Sequence, residues 1–490
     1  MSVVLTFLVN TIFNLIVGLI VAKFLGPEEY GKFALAIGVM TFGQALAFEW
    51  IRQCAVRFYS ERTQAEAPKV RATLDAAFAG FSLLFFPLAA AAAFLGPEFS
   101  LPREMVGLAF AASIANGLFD YQTALVRARF ADRLYLKLVV TKNLFAVVFT
   151  AGGAWATGSA KIALLAGMGS LMFSVFIWRR KLTDSDARLT VADKKLARVY
   201  AAYAAPIVVS IMLYQLIPLI NRDLAARFYG FAETGRFALA YDLGLRAVAA
   251  LGSALDVLLF QIAVRAHDKQ GEDEAKAQVA QNIGVVFAIL VPACVGVWIV
   301  LPSVEVLVVP QAYRGAFSHY LTLMLPGLVC VGIGQFSLNA IFQIARKTWP
   351  LTVSALIVCI ADPLFFWLLR DEGVSGLAKA QSLAFAAGLA SLILFAMASR
   401  PQWPRLRDLA LTLVAAGGMA ALAAPLRSLE PGLPLMLTQI VLAGSFYLLI
   451  VAVFDLAGLR RAFLVKAAPA ARWLHGRHDI FKTLLPLSIE

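Results

Sequence analysis

Charged residues are scarce in this sequence, and their scarcity excludes a soluble protein. Of the 490 residues, 15% are charged and 61% are hydrophobic. The mean hydropathy is +0.78. A soluble protein of this length needs many more polar side chains to cover its surface. The composition therefore predicts an integral membrane protein.

Cysteine and histidine are also few, which excludes several kinds of site. The four cysteines are scattered along the chain, so they predict neither a disulfide framework nor a zinc site. The four histidines lie outside the interiors of the apolar runs, and the sequence has no glycine-rich phosphate loop followed by Lys and Ser or Thr. We therefore expect no metal, no cofactor and no ATP hydrolysis by this chain.

Long apolar runs recur almost from end to end, each close to the roughly 20 residues that a helix needs to cross a bilayer. Strand-like alternation is not the dominant pattern, so the sequence predicts an all-α fold with about 14 transmembrane helices. The first run begins at once and lacks a basic leader, so we expect it to be retained rather than cleaved. The predicted spans are 2–22, 33–51, 75–95, 105–126, 136–156, 160–178, 199–220, 237–262, 279–304, 317–342, 350–369, 376–398, 409–426 and 435–455.

Lysine and arginine are distributed unevenly between alternate connections, which predicts the orientation. The connections after even-numbered spans, together with the C-terminal tail, hold 29 of the 43 basic residues, and those after odd-numbered spans hold 9. Because short basic loops stay in the cytoplasm, both termini are expected there. This asymmetry accounts for most of the net charge of +13, so we expect no nucleic-acid partner. The basic tail fits binding to anionic membrane lipids and simple solvation equally well.

The stretch AKFLGPEEYGKFALA at 22–36 has a second copy, ARFYGFAETGRFALA, 204 residues later at 226–240. Nine of the 15 aligned residues are identical. Six crossings return the chain to its starting side, so the two copies predict parallel six-helix lobes with a cleft between them. The predicted domains are lobes at 1–195 and 196–400, accessory helices 13 and 14 at 401–456, and a basic cytoplasmic tail at 457–490.

Each copy contains a turn between the first two helices of its lobe. Glycine permits tight backbone geometry, proline ends the first helix, and glutamate favours the N-terminus of the next helix. We prefer this structural role to direct contact with a substrate. The residues assigned to the turn are Gly26, Pro27, Glu29 and Gly31 in the first copy, and Gly230, Glu233 and Gly235 in the second.

The opening helix, the L-G-P-E-E-Y-G turn and the duplicated halves resemble the polysaccharide-type flippases of the multidrug/oligosaccharidyl-lipid/polysaccharide (MOP) exporter superfamily. Those proteins include O-antigen and exopolysaccharide lipid flippases. The resemblance implies a partly cationic cavity and alternating access that moves an undecaprenyl-diphosphate-linked oligosaccharide to the periplasmic leaflet of a bacterial inner membrane. A polysaccharide polymerase and export machinery are partners compatible with it.

Polar and basic residues inside the predicted spans are the candidates for such a cavity, because lipid tolerates them poorly. Arg246 lies about 14 Å along its helix, near the bilayer centre, and four residues after Asp242. We expect Asp242 either to neutralise Arg246 in a packing pair or to hold it for a diphosphate. Lys142 could instead extend back to the cytoplasmic interface. The candidate substrate-binding residues are Asn10, Asn14, Gln44, Arg52, Lys142, Tyr214, Gln215, Arg222 and Arg246.

Four carboxylates are candidates for coupling transport to H⁺ or Na⁺, because a carboxylate in hydrocarbon tends to be protonated or paired. They are Glu49, Asp120, Asp242 and Asp362. Simple pairing with a neighbour fits each of them equally well. Pro206 and Pro218 free backbone carbonyls in span 7 and predict a hinge there, whereas span 1 has no proline.

Three functions fit these features, and the flippase fits best. An ion-coupled exporter of drugs or organic cations would need a cavity dominated by carboxylates, which the central Arg246 opposes. A membrane glycan polymerase or glycosyltransferase would need an acid or base near a substantial aqueous loop, and the predicted loops are short. We therefore expect a transporter rather than an enzyme. The identity of the glycan and of the coupling ion stays open.

Overall fold

The computed structural model describes residues 2–95, 100–184, 186–344, 349–398 and 401–461. All regular elements within these ranges are helical. The first half contains α1 (Ser2–Ala47), α2 (Glu49–Phe58), α3 (Glu61–Glu66), α4 (Pro68–Leu95), α5 (Arg103–Ala128), α6 (Asp132–Phe145), α7 (Gly152–Thr157) and α8 (Ala160–Leu182).

The second half contains α9 (Lys194–Tyr229), α10 (Phe231–Gln270), α11 (Glu272–Val308), α12 (Ala316–Ile333), α13 (Asn339–Ile344), α14 (Trp349–Leu369) and α15 (Val374–Ala398). It is followed by α16 (Leu406–Ala423) and α17 (Leu433–Phe454). π-helical turns join α6 to α7 at Ala146–Ala151, and α12 to α13 at Gly334–Leu338. Short 3₁₀ turns occur at Leu189–Val191, Gln311–Tyr313, Arg370–Glu372, Ala424–Ser428 and Leu456–Gly458.

Eleven helical segments of the described chain are long and apolar enough to cross a membrane. One of them, α1, contains the first predicted span and most of the second. The fourth and eighth predicted spans fall on α5 and α10, which are not among these eleven. Large apolar side chains such as Leu83 and Leu448 are exposed along these helices, as a surface in contact with lipid requires. The all-α membrane fold class is therefore confirmed, while the number of crossings and the symmetry of the lobes stay predictions.

The turn between the first two helices has the same backbone conformation in both copies. Gly26 has φ 69° and ψ 172°, and its equivalent Gly230 has φ 84° and ψ 169°. Only glycine adopts this region readily, because a Cβ atom would clash with the backbone. Pro27 opens the second arm of α1, where its missing N–H costs nothing.

The equivalent turn glutamates, Glu29 and Glu233, each accept hydrogen bonds from neighbouring protein groups. Glu29 accepts hydrogen bonds from Lys32 Nζ at 2.7 Å and from the backbone N–H of Ala160, the first residue of α8, at 2.8 Å. Glu233 accepts from the Arg236 guanidinium and from the Tyr320 hydroxyl, the latter at 2.5 Å. These contacts agree with the structural role expected for the turn.

The second glycine of each copy lies where α1 and α10 cross. A methyl group on Gly31 would lie 2.0 Å from the carbonyl oxygen of Phe231, and one on Gly235 would lie 2.0 Å from the carbonyl oxygen of Pro27. The two helices therefore touch backbone to backbone. This crossing joins the two copies of the repeat directly.

The end of the second predicted span differs from the sequence expectation. The second span was expected to continue to residue 51, but α1 ends at Ala47, and a new helix begins at Glu49 after Phe48 leaves the helical conformation (φ −120°, ψ −15°). α9 runs unbroken from Lys194 to Tyr229 through both Pro206 and Pro218, so the hinge at these prolines stays a prediction.

The last two helices pack on the second half of the chain. Met419 of α16 and Ala443 of α17 form an apolar cluster with Ile299 of α11. The Tyr447 hydroxyl of α17 also donates to the Ala288 carbonyl of α11. Most of the predicted tail, residues 462–490, lies outside the described residues, and the domain limits stay predictions.

Candidate functional site

A polar cavity of about 320 Å³ lies within the first half, between α1, α2, α5 and α6. Its lining contains five of the predicted residues, which the fold brings together from four helices. They are Asn10, Asn14, Arg52, Asp120 and Lys142.

Lys142 points into this cavity and toward α1. Its Nζ donates to the side-chain oxygens of Asn10 at 3.3 Å and Asn14 at 3.2 Å. Asn143, the next residue, donates to Asn10 at 3.2 Å. The asparagines are four residues apart, so they lie one above the other on the same face of α1. This arrangement differs from the alternative in which Lys142 extends to the interface.

The π-helical turn Ala146–Ala151 follows Lys142 closely along the chain. Single π turns inside α-helices occur frequently at functional sites, because the extra residue reorients neighbouring side chains. Sequence periodicity carries no clear signal for such a turn, so the sequence does not predict it.

Glu49 fixes the position of Arg52 at the edge of the cavity. The Glu49 side chain is 3% exposed and accepts from Arg52 Nε at 2.8 Å and from Gln53 Nε2 at 2.8 Å. Gln44 lies 3.4 Å from Glu49 through its amide nitrogen and accepts from Asn116 at 3.2 Å. Glu49 is thus engaged by neighbours, which favours the pairing alternative over ion coupling.

Polar lining residues that the sequence analysis did not identify include Asn116, Arg127 and Tyr135. Arg127 belongs to the last turn of α5 and lies over the Tyr135 ring at 5.7 Å. Spacing along α5 could have identified Asn116 and Arg127, because they lie four residues before and seven residues after Asp120 on one face of the helix. The lining holds three cationic side chains and one carboxylate, and is therefore net cationic.

The structure corrects the expected pair of Asp242 and Arg246. The Asp242 carboxylate binds Arg222 of α9, with 2.5 Å between Nη2 and Oδ1. Arg222 also donates through Nη1 to the Ala34 carbonyl of α1 at 2.9 Å, and it is 5% exposed. Asp242 does not form the expected pair with Arg246 on its own helix, because the Arg222 guanidinium on α9 binds its carboxylate. Arg222 therefore joins the two halves, and its predicted contact with substrate is untested.

Arg246 instead reaches across to α1. Its Nη1 donates to the main-chain carbonyl of Asn14 at 2.6 Å. The same Asn14 accepts from Lys142 through its side chain. Cations from the two halves of the chain thus meet at one residue of α1, beside the cavity.

A second polar centre is closed and lies between α9 and α14. Asn221 donates to Asp362 Oδ2 at 2.6 Å, and both residues are at most 1% exposed. Within the described residues, Asp362 Oδ1 and Asn221 Oδ1 have no hydrogen-bond partner. Two buried acceptors without donors are costly, and a proton on the carboxyl group or a bound cation would satisfy them.

The remaining candidates lie apart from the cavity. Tyr214 lines a small void of about 20 Å³ beside Ser354 and Gly334. Gln215 is partly buried on the same helix, α9. The structure does not bring either of them to Lys142.

The family model described as "Polysaccharide biosynthesis protein" matches residues 1–260, more than half of the chain. The chain belongs to this family. The match includes every residue of the cavity described above, and also Arg222, Asp242 and Arg246. Sequence comparison with curated proteins gives no significant match.

Solved structures place this family member in a known fold. It is similar to the lipid II flippase MurJ in an inward closed conformation, with a TM-score of 0.75 and 13% identity over 92% of this chain and 98% of that one. It is also similar to an inward-facing multidrug resistance MATE family transporter of the MOP superfamily, with a TM-score of 0.61 and 15% identity over 81% and 95%. A MOP superfamily transporter from Pyrococcus furiosus gives a TM-score of 0.51 and 15% identity over 81% and 93%. The superfamily resemblance read from the sequence is confirmed for the fold.

Proposed function

We propose that this protein flips a lipid-linked oligosaccharide across a bacterial inner membrane by alternating access, in the biosynthesis of a cell-surface polysaccharide. The proposed substrate carries an undecaprenyl-diphosphate anchor. The observation that carries the proposal is the convergence of Lys142 and Arg246 on Asn14, at the edge of a cationic cavity. The family membership supports the biosynthetic role.

A diphosphate suits this arrangement chemically. Guanidinium groups bind phosphate oxygens in a bidentate manner and an ammonium group adds a compact charge. Among the residues that the structure describes, the hydrogen-bond acceptors of Lys142 and Arg246 are neutral oxygens of Asn10 and Asn14. Neutral acceptors are exchanged for an anion more easily than a paired carboxylate. Arg222, bound to Asp242, is less available.

A flipping assay tests the proposal. The protein is reconstituted into vesicles with a fluorescent lipid-linked oligosaccharide, and flipping is followed by quenching from outside. Lys142→Gln and Arg246→Gln should each lower the flipping rate at least tenfold, because each removes a charge-assisted contact. The controls are Lys137→Gln on α6 and Arg265→Gln on α10, which remove exposed charges from the same helices.

Full flipping by both test variants, in folded protein, would contradict the assignment of these residues. Export of organic cations by the wild type without flipping would favour the second function considered above. Formation of a longer glycan by the purified protein would favour an enzyme.

We also propose that Asp362 couples transport to H⁺ or Na⁺. A proton on the carboxyl, or a Na⁺ between Asp362 and Asn221, would satisfy their two unpartnered oxygens. Asp362→Asn keeps the size and removes the charge, so flipping should continue but lose its response to an imposed pH or Na⁺ gradient. Asp120→Asn serves as the comparison in the open cavity. An unchanged gradient response in Asp362→Asn would reject this role.

The proposed orientation places both termini in the cytoplasm. It rests on the distribution of lysine and arginine between the connections. Accessibility of single cysteines introduced at Arg180 and at Gly432 should differ, with residue 180 labelled from the cytoplasmic side and residue 432 from the periplasmic side.

A further inference from the structure

A larger cavity, of about 1020 Å³, lies where α16 begins and α17 ends, against the first turns of α11. It is separate from the site described above, which lies in the first half. Four arginines and two aspartates line it. They are Arg405, Arg407, Arg460, Arg461, Asp408 and Asp455.

The arginines of this cavity are only partly neutralised. Arg461 pairs with Asp455, with 2.9 Å between Nε and Oδ2. Arg460 donates to the Ala452 carbonyl at 2.9 Å, which satisfies the C-terminal end of α17. Over the described ranges, neither Arg405 nor Arg407 lies in an ion pair. The lining therefore has an excess of positive charge and two guanidinium groups available for a ligand.

The backbone holds the last two arginines at the cavity. After α17 the chain reverses through three residues with positive φ, namely Asp455 (52°), Ala457 (50°) and Gly458 (74°). Left-handed conformations cost energy in residues with a Cβ and persist only where the surroundings fix them. Here Ala457 is 7% exposed and packs toward α11, since a methyl group on Gly284 would lie 3.5 Å from its Cβ. The turn is thus a built feature of the cavity.

The surroundings indicate a ligand that is partly apolar. Val453 and Phe454 contribute to the lining and are 58% and 41% exposed. Leu406, at the start of α16, is 81% exposed, and Trp403 lies in the lining. Tryptophan and arginine side by side are typical of the level where lipid headgroups meet hydrocarbon. The predicted orientation places this level at the cytoplasmic leaflet.

We propose that this cavity binds the phosphodiester headgroup of an anionic phospholipid, with its acyl chains along the exposed apolar faces of α16 and α17. Arg405 and Arg407 would contact the phosphate, and the turn at Asp455 to Gly458 would hold the rim. The lipid would fasten the accessory helices to α11. This role does not depend on which substrate is transported.

Binding is tested with the full chain in nanodiscs. Discs of phosphatidylcholine alone are compared with discs containing phosphatidylglycerol, and bound lipid is counted by native mass spectrometry after release. The double substitution Arg405→Gln with Arg407→Gln should weaken phosphatidylglycerol retention roughly thirtyfold, because two basic residues near an anionic surface typically contribute that much to lipid affinity. Arg179→Gln with Arg180→Gln, on α8, is the matched control and should retain the lipid.

A lysine pair at 405 and 407 keeps the charge and should retain most of the binding. If the glutamine variant does not fold, the lysine variant still tests whether positive charge at these positions retains the lipid. Soluble glycerophosphoglycerol, the deacylated headgroup of phosphatidylglycerol, is added as a competitor and separates the two sources of a phosphodiester. Displacement of phosphatidylglycerol by equal concentrations of glycerophosphoglycerol, or equal lipid loss from the α8 control, would overturn the proposal.

Discussion

The two copies of the repeat differ at two positions where one has glycine and the other has charge. Gly18 and Gly38 of the first copy correspond to Arg222 and Asp242 of the second under the 204-residue shift. A methyl group on Gly18 would lie 3.6 Å from Arg246 Nη1, and one on Gly38 would lie 3.8 Å from Arg222 Nη1. The first copy therefore provides the space that the arginines of the second copy occupy.

The polar centres of the two halves differ in the same complementary way. The first half has an open cavity with Lys142, Arg52 and Arg127, whereas the second has the closed pair of Asn221 and Asp362. One centre has an excess of positive charge and suits an anion. The other has unpartnered acceptors and suits a proton or a metal cation. Under the proposals above, the two halves would hold two different kinds of site.

The largest effect is expected from moving the carboxylate between the copies. Asp242→Gly leaves Arg222 buried without a counter-charge and should lower the free energy of unfolding by about 3 kcal/mol. Adding Gly38→Asp should restore part of that loss, because position 38 faces the same guanidinium. The thermal midpoint of detergent-purified protein measures both effects.

Gly38→Asn in the Asp242→Gly background is the neutral control for this exchange. It fills the same space without restoring charge, and it should not recover stability. Equal recovery by Asn and Asp would show that the equivalence of the two positions is one of volume rather than charge.

Alanine at the helix crossing should affect both copies alike. Gly31→Ala and Gly235→Ala each place a methyl group 2.0 Å from a backbone oxygen of the opposite helix, so α1 and α10 must move apart. We expect each to lower stability by about 2–3 kcal/mol. The control is Gly80→Ala on α4, where a methyl group would meet nothing within 4 Å. A much larger effect of one substitution than of the other would break the equivalence of the copies at this crossing.

The turn glycines should also respond as a pair, through strain rather than contact. A methyl group on Gly26 or Gly230 would meet nothing within 4 Å, yet both residues have positive φ with ψ near 170°. Alanine should therefore cost about 1–3 kcal/mol at either position. Thermal unfolding of Gly26→Ala and Gly230→Ala measures this cost, and a neutral result at one of them would show that its backbone relaxes.

The sequence predicted the helices and the turn well because both depend on local chemistry. Apolar length determines a membrane helix, and the Gly-Pro pair at 26 and 27 determines a change of direction. The break at Phe48 was missed, since the apolar run continues past it and the composition does not change there. The π-helical turn at Ala146–Ala151 was missed for the same reason.

The candidate site was predictable in its membership more than in its pairing. An asparagine or lysine inside an apolar span signals a polar neighbour, which is why Asn10, Asn14 and Lys142 were found. Spacing on one helix, however, suggested Asp242 with Arg246, whereas the Asp242 carboxylate meets Arg222 from another helix. Partners across helices depend on tertiary packing, which spacing along the chain does not report.

The smallest effect is expected at Gly18. A methyl group there would lie 3.6 Å from Arg246 Nη1, an ordinary van der Waals distance, so Gly18→Ala should leave flipping near the wild-type rate. Alanine also favours the helix over glycine by up to about 1 kcal/mol, which should raise the thermal midpoint slightly. Gly18→Leu fills the same place with a side chain that must displace the guanidinium, and it should reduce flipping as Arg246→Gln does. If leucine were tolerated as well as alanine, the space provided by the first copy would not be what positions Arg246.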